Sequence, residues 1–392
     1  MPDPAADLNP PARLLLGPGP SNVHPRVLQA LTSPTLGYLD PDFLDVLTRI
    51  QELLRGAFRT RNPLTLALSG TGTSGMEAGL VNLLEPGEKA LVCVNGYFGA
   101  RLVEVALRAG AQVIRVEAPW GRVVEPEAVE AELRAHPDVK LVALVQGETS
   151  TGVLQPVKEI ADLAHRHGAL VLVDAVTSFG GCELPVDAWD LDYVYSCTQK
   201  CLSCPSGLSP ITVSERARRA IGGRERRIGS FYLDLTLLEQ YWGEAHIYHH
   251  TVPGHLLYAL HEALRLLAEE GVEERWARHR RHGEALQAGL AAMGLALHAQ
   301  EGHRLPVLTT VRVPEGVDDA RVRRRLLQEY GIEIGGGLGE LRGRVWRIGL
   351  MGYASRPENV LLVLTALEAA LAAEGYRAEP GAGAAAAARA LA

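Results

Sequence analysis

The chain has 392 residues, long for a single core, and its 47% hydrophobic content excludes a disordered chain. A formal net charge of -7, with no basic run dominating any stretch, argues against a nucleic-acid partner. No span of about 18 uninterrupted apolar residues occurs, so neither a transmembrane helix nor a membrane partner is expected. The start, Met-Pro-Asp-Pro-Ala-Ala-Asp, lacks the basic and apolar regions of a signal peptide, and five cysteines suit a reducing compartment, so a cytoplasmic protein is expected.

In chain order, residues 1–22 form a Pro-rich arm ending in Gly17-Pro-Gly-Pro-Ser-Asn22, too irregular for a helix and expected to lie across another surface. An amphipathic helix is predicted over 41–59. Strand and helix signals then alternate: strand 64–68, helix 74–84, strand 90–94, helix 99–109, strand 112–116, helix 125–135, strand 141–145, helix 156–167 and a strand ending at Asp174. Such alternation implies βαβ crossovers and a mostly parallel sheet. Beyond about residue 254 the pattern changes to helices over 254–270 and 272–293 and strands over 295–299 and 308–313. A helix over 318–330, two further strands and a helix over 356–373 complete a smaller α+β unit. The expected organisation is an arm (1–22), a large domain (23–271), a small domain (272–378) and a low-complexity, frayed tail (379–392).

The chain has four lysines, Lys89, Lys140, Lys158 and Lys200, in a protein that otherwise carries its positive charge on arginine. The first three sit at polar turns or on a helix and read as solvated surface charges. Lys200 instead follows the strand-like Tyr193-Val-Tyr-Ser196 and enters a loop without acidic neighbours. An ammonium can deprotonate and attack a carbonyl, whereas a guanidinium effectively cannot. Asp174 ends the apolar run Ala169-Leu-Val-Leu-Val-Asp174, at the sheet edge where open α/β folds place ligands. An aspartate and a lysine converging there suit pyridoxal phosphate, with Lys200 holding the cofactor and Asp174 keeping its pyridine nitrogen protonated. A strand-end lysine and a helix N-cap are the structural alternatives for the two residues.

The loop Ser69-Gly-Thr-Gly-Thr-Ser-Gly75 joins a strand to a helix, so its N–H groups and the positive helix end would face an anion such as a cofactor phosphate. A plain turn is the alternative. Gly147-Glu-Thr-Ser-Thr-Gly152 is a second loop of this kind. Val345-Trp-Arg347-Ile-Gly-Leu350 places an arginine inside an apolar strand, where a carboxylate should face it, from the protein itself or from an amino-acid substrate. The spacing of Cys197, Cys201 and Cys204 also matches radical S-adenosylmethionine iron–sulfur enzymes, but it occurs far into a βα series and beside an Asp–Lys pair, and it reads as coincidence.

Together these residues resemble the class V aminotransferases of the fold-type I pyridoxal-phosphate superfamily, nearest to alanine–glyoxylate and serine–pyruvate aminotransferases. The resemblance runs from Leu14-Leu-Leu-Gly-Pro-Gly-Pro-Ser-Asn22 through Thr60-Arg-Asn-Pro-Leu-Thr65, Ser150-Thr-Gly-Val-Leu-Gln-Pro156, Phe231-Tyr-Leu-Asp234, Tyr248-His-His-Thr251 and Gly336-Gly-Leu-Gly339 to Arg347-Ile-Gly-Leu350. It implies an α/β large domain with a mostly parallel sheet between helices, a smaller C-terminal α+β domain, pyridoxal 5'-phosphate as cofactor, and no metal. By resemblance Lys200 and Asp174 are catalytic, and Thr71, Gly72, Thr73 and Gln199 hold the phosphate. Phe98 stacks on the ring, Val176 packs its opposite face, and Thr149 stands where a serine contacts its oxygen. Tyr248 and Thr251 match residues donated to the neighbouring subunit's phosphate, implying a homodimer with shared active sites. Arg347 matches the substrate-carboxylate arginine, and Gly37 and Tyr38, in a segment that reaches the neighbouring site, are the other expected substrate-binding residues.

Known relatives carry tryptophan where Phe98 stands and histidine where Thr73 stands, and the Gly37-Tyr38-Leu-Asp-Pro segment differs from theirs. The chain ends in Arg-Ala-Leu-Ala, without the peroxisomal address of some relatives. The implied reaction moves an amino group from alanine or serine to glyoxylate or pyruvate, so small amino acids and 2-oxo acids are the expected partners. A phosphonate aminotransferase, or a cysteine desulfurase disfavoured by Gln199 before the lysine, are alternatives on the same fold. A non-enzymatic interaction module is a remote one.

Overall fold

The computed structural model describes residues 5–392. Seven strands form the main sheet in the order Leu64–Ser69, Leu208–Val213, Tyr193–Tyr195, Leu170–Asp174, Val139–Val145, Lys89–Val94 and Gln112–Glu117. All neighbours run parallel except Leu208–Val213, which is antiparallel to both strands beside it. The alternation in the sequence anticipated the parallel part. The antiparallel strand was not anticipated, since it follows a loop rather than a crossover helix. Leu170–Asp174 is buried throughout at the middle of the sheet.

Helix Pro41–Phe58 shows why the pattern produces these elements. Asp40 caps its start by accepting from the Asp42 N–H at 2.9 Å, and Pro41 occupies the first turn, where no N–H is needed. Phe43, Leu47, Ile50 and Leu54 recur at helical spacing and bury one face against the large core, while Arg59 ends the helix in the left-handed region with φ 54°.

A second hydrophobic core gathers the last third of the chain around an antiparallel sheet in the order Leu308–Arg312, Val345–Gly349, Gly335–Gly336. The arm joins this core: Leu16 is fully buried in it, and Leu14–Leu15 pairs in parallel with Ile332–Glu333. The segment expected as a strand over 295–299 makes only one bridge, Leu297 to Val311, because it then turns away to donate from the Gln300 N–H to the Gly121 carbonyl at 2.8 Å.

The tail is also corrected: Ala382–Leu391 is a helix rather than a frayed end, with Ala387 fully buried in the second core. Alanine has the highest helix propensity, and the packed face anchors a segment too short to persist alone. Among the described residues no helix is long and apolar enough to cross a membrane.

Candidate active site

Asp174 lies at the carboxyl end of the central strand, in register with Val145 on one side and Tyr195 on the other. Its Oδ1 accepts from the Val176 N–H at 2.8 Å and its Oδ2 from the Tyr195 hydroxyl at 2.5 Å. Burial pushes its carboxyl up from 3.8 to about 6, against the pull of those two donors. The sequence reading used Tyr195 only to mark a strand. Its alternation with Tyr193 beside the Asp174 strand was the one signal of its role. Tyr195→Phe is expected to destabilise the cofactor-free protein by about 1.5–3 kcal/mol at pH 8, the worth of a hydrogen bond to a charged group. The loss should shrink below pH 5, where Asp174 is protonated, and denaturant melts at the two pH values check this.

Lys200 follows the neighbouring strand and has no ion-pair partner among the described residues. Its Nζ donates to the Pro18 carbonyl. Burial holds the amine below the usual lysine range. The other three lysines are ion-paired, Lys89 with Asp138, Lys140 with Glu88 and Lys158 with Asp162. The arm is therefore part of this site: the Ser21 N–H donates to the Gln199 carbonyl at 2.9 Å and its hydroxyl to the Lys200 carbonyl at 2.6 Å. Gly19 has φ 105°, a conformation that favours glycine, and the Lys200 side chain passes so near that a Cβ there would lie 2.6 Å from its Cδ.

A cavity of about 140 Å³ lies between Asp174 and Lys200. Thr71, Gly72, Thr73 and Gln199 are among the residues that line it. Phe98, Val176 and Thr149 form its walls, together with Arg101, which the sequence reading passed over and which carries no ion pair among the described residues. Helix Gly72–Leu83 starts at this cavity with Thr71 as N-cap, and its cap makes no side-chain hydrogen bond. The side chain of Val176 comes so near that a Cβ on Gly72 would sit 2.8 Å from it.

Arg347 is 6% exposed, and no carboxylate lies within ion-pair distance of it among the described residues. Its Nε donates to the Gly336 carbonyl at 2.7 Å and its Nη1 reaches the Thr149 carbonyl at 3.4 Å. Burial lowers its pKa to about 10, and the Glu148 carboxylate opposes that shift. Glu148, fully buried in the second glycine-flanked loop, was not singled out from the sequence.

Gly37, Tyr38, Tyr248 and Thr251 do not line this cavity. Gly37, Tyr38 and Thr251 border a separate hollow, and the Tyr38 and Tyr248 rings lie 4.9 Å apart beside it. Cys197 and Cys201 donate to two different carbonyls, those of Val176 and Thr177, and burial pushes both thiols up to about 12. A larger cleft of about 680 Å³, bordered by Trp189, Trp276 and Arg304, includes none of the predicted site residues.

The Aminotransferase class-V family profile matches residues 16–343. The chain belongs to the class-V aminotransferases. The enzyme is 44% identical over 379 residues to the (S)-ureidoglycine–glyoxylate transaminase of Bacillus subtilis, covering 92% of this chain and 91% of that protein. It is 43% identical over 365 residues to the alanine–glyoxylate aminotransferase of Callithrix jacchus, covering 92% and 88%. The crystal structure of ureidoglycine–glyoxylate aminotransferase from Bacillus subtilis matches with a TM-score of 0.96 over 98% of this chain and 99% of that one, at 44% identity. That of alanine–glyoxylate aminotransferase from Nostoc sp. matches at 0.91 over 95% and 97%, at 50% identity.

The cofactor of this aminotransferase is pyridoxal phosphate, and the residues at the cavity fit it. The N–H groups of Gly72 and Thr73 have no protein acceptor among the described residues, as a phosphate site at a helix start requires. Gln199 lines the same cavity, and its side-chain amide N–H groups are the kind of donor a phosphate accepts from. The Asp174 carboxylate lines the same cavity and is the acid there that could face a ring nitrogen.

Proposed function

We propose that this aminotransferase transfers the amino group of alanine or serine to glyoxylate or pyruvate, and that it works as a homodimer with shared active sites. The observation that carries the reading is Arg347, a buried guanidinium held by two carbonyls and, among the described residues, without a carboxylate within ion-pair distance. Glu148 acts on this cation only from a distance, so its fork has no carboxylate bonded to it among the described residues, and the α-carboxylate of an amino acid supplies one. The names of the relatives above share glyoxylate, which favours it as acceptor. (S)-Ureidoglycine as donor is a second reading, favoured by the likeness to the Bacillus subtilis protein. Its α-carboxylate would use the same arginine.

Bound pyridoxal phosphate supplies a carbonyl for the substrate amine and a ring that stores the electron pair released at the α-carbon. Gly72, Thr73 and Gln199 hold the phosphate, while Phe98 and Val176 cover the two ring faces. Asp174 holds the proton on the ring nitrogen. Arg347 orients the substrate by its carboxylate, and Lys200 moves the proton at the α-carbon, helped by burial that favours its neutral amine.

Support for the dimer comes from exposed apolar residues: Tyr248, whose ring lies 4.9 Å from that of Tyr38, is 51% exposed, Ile247 beside it in sequence 54%, and Phe231, stacked on His249, 70%. A cluster of this kind marks an association surface. On a partner copy it would bring Tyr248 and Thr251 to a phosphate they do not reach within their own chain. Sedimentation of the holoenzyme should give twice the chain mass.

Alanine, serine and ureidoglycine are each to be offered with glyoxylate while glycine is measured. Glycine formed with pyruvate from alanine is the expected result, and no glycine from any donor overturns the reading. Borohydride reduction and digestion should place the pyridoxyl mass on the peptide bearing Lys200. Recovery on a peptide bearing Lys89, Lys140 or Lys158 overturns its role.

A further inference from the structure

We infer that Glu148 is a positioning residue whose buried carboxylate ties the helix bearing Phe98 to the loop bearing Thr149, fixing the ring-stacking face relative to the Arg347 clamp. The inference rests on the roles proposed above for Phe98 and Arg347.

Helix Tyr97–Arg108 begins at Gly96, which has no side chain to cap it. Three of its first-turn N–H groups are instead satisfied from about fifty residues along the chain. Glu148 Oε2 accepts from Phe98 at 2.9 Å and from Gly99 at 3.2 Å, while Ser150 Oγ accepts from Tyr97 at 2.9 Å. Glu148 Oε1 in turn accepts from the Ser150 N–H at 3.0 Å and its hydroxyl at 2.6 Å. Four donors thus saturate one carboxylate, the arrangement that favours its ionised form even though burial pushes the group up. The helix start also carries partial positive charge, which suits an anion there. Contact is tight: a Cβ on Gly96 would lie 2.5 Å from Glu148 Cδ and 2.6 Å from Ser150 Oγ.

This junction joins two functional walls. On one side the anchored backbone is that of Phe98 itself. On the other, the next residue is Thr149, whose carbonyl meets Arg347 Nη1 at 3.4 Å. A shift of the carboxylate therefore moves the ring face and the clamp relative to one another. The Glu148 charge reaches both ends of the site, strengthening proton binding at Asp174 and at Arg347.

Glu148→Gln tests this, because a side-chain amide must turn an N–H donor toward either the Phe98 and Gly99 pair or the Ser150 pair. The far-UV spectrum should be retained, while the cofactor-free protein binds pyridoxal phosphate about tenfold more weakly, as expected for one charged hydrogen bond lost. The visible circular dichroism of the bound cofactor should fall, because the Phe98 ring no longer holds it in one orientation. Ser150→Ala keeps the Phe98 and Gly99 bonds and should weaken cofactor binding only about twofold to fivefold, with a smaller dichroism change. It carries the test if Glu148→Gln does not fold, and unchanged affinity and dichroism in Ser150→Ala then overturn the inference. A lower melting temperature with unchanged cofactor affinity and dichroism in Glu148→Gln makes Glu148 merely structural and overturns it. Phe98→Ala separates the two layers. If it perturbs affinity and dichroism but Glu148→Gln does not, the inference alone fails, and if it perturbs neither, the Phe98 role fails and takes the inference with it.

Discussion

Asp174→Asn is expected to lower the rate of half-transamination by about two to four powers of ten, equivalent to about 3–5 kcal/mol of barrier, while the cofactor stays bound. Asparagine keeps the shape of the side chain and can still accept from Val176, but it cannot hold a proton on the ring nitrogen. The same substitution should stabilise the protein without cofactor. Burial raises Asp174 to about 6 in the folded chain against an ordinary 3.8, taken for the unfolded chain, so between those pH values the folded chain keeps a proton that the unfolded chain has released. Stability from this group is therefore greatest below about pH 4 and is lost as pH rises through about 6, by about 3 kcal/mol in all. Cofactor-free Asp174→Asn should outlast cofactor-free wild type in denaturant at pH 7 and match it at pH 4. Near-wild-type half-transamination, or equal stability at both pH values, removes Asp174 from this role.

Arg347→Lys keeps the charge but loses the fork, so affinity for amino donors should fall by about 1.5–3 kcal/mol. One ammonium cannot bond the Gly336 and Thr149 carbonyls and also present two parallel donors to a carboxylate. The melting temperature should change little, because no carboxylate among the described residues is ion-paired with Arg347 and so none is orphaned by the exchange. Thermal melts and alanine titrations of one preparation decide the matter. A lowered melting temperature with unchanged alanine affinity would make the arginine structural and remove the main support for an α-amino acid substrate.

Residue type and local pattern made much of this legible before any coordinates. Lys200 stood out because it is one of four lysines and enters a loop without acids. The apolar run before Asp174 placed it at a strand end, and that strand is indeed the buried centre of the sheet. The Gly-Thr-Gly loop announced a strand-to-helix turn, which starts the helix at Gly72. The failures are also instructive. An alanine-rich tail reads as low complexity because nothing local reveals that Ala387 has a core to enter. The acid in Gly147-Glu148-Thr149 reads as an ordinary loop residue until the helix it caps is brought to it.

What the sequence by itself determined is the alternation of elements, the family, the cofactor and the residue types at the sheet edge, because periodicity and side-chain chemistry are properties of short segments. What only the tertiary structure decided is the state of those residues. The Lys200 amine meets the Pro18 carbonyl across 182 positions, and Arg347 meets the Thr149 carbonyl across 198. The elevated carboxyl of Asp174, the depressed amine of Lys200 and the lowered pKa of the Arg347 guanidinium all depend on which distant groups exclude water from them. Desolvation and pairing are set by neighbours in space, and no local pattern encodes them.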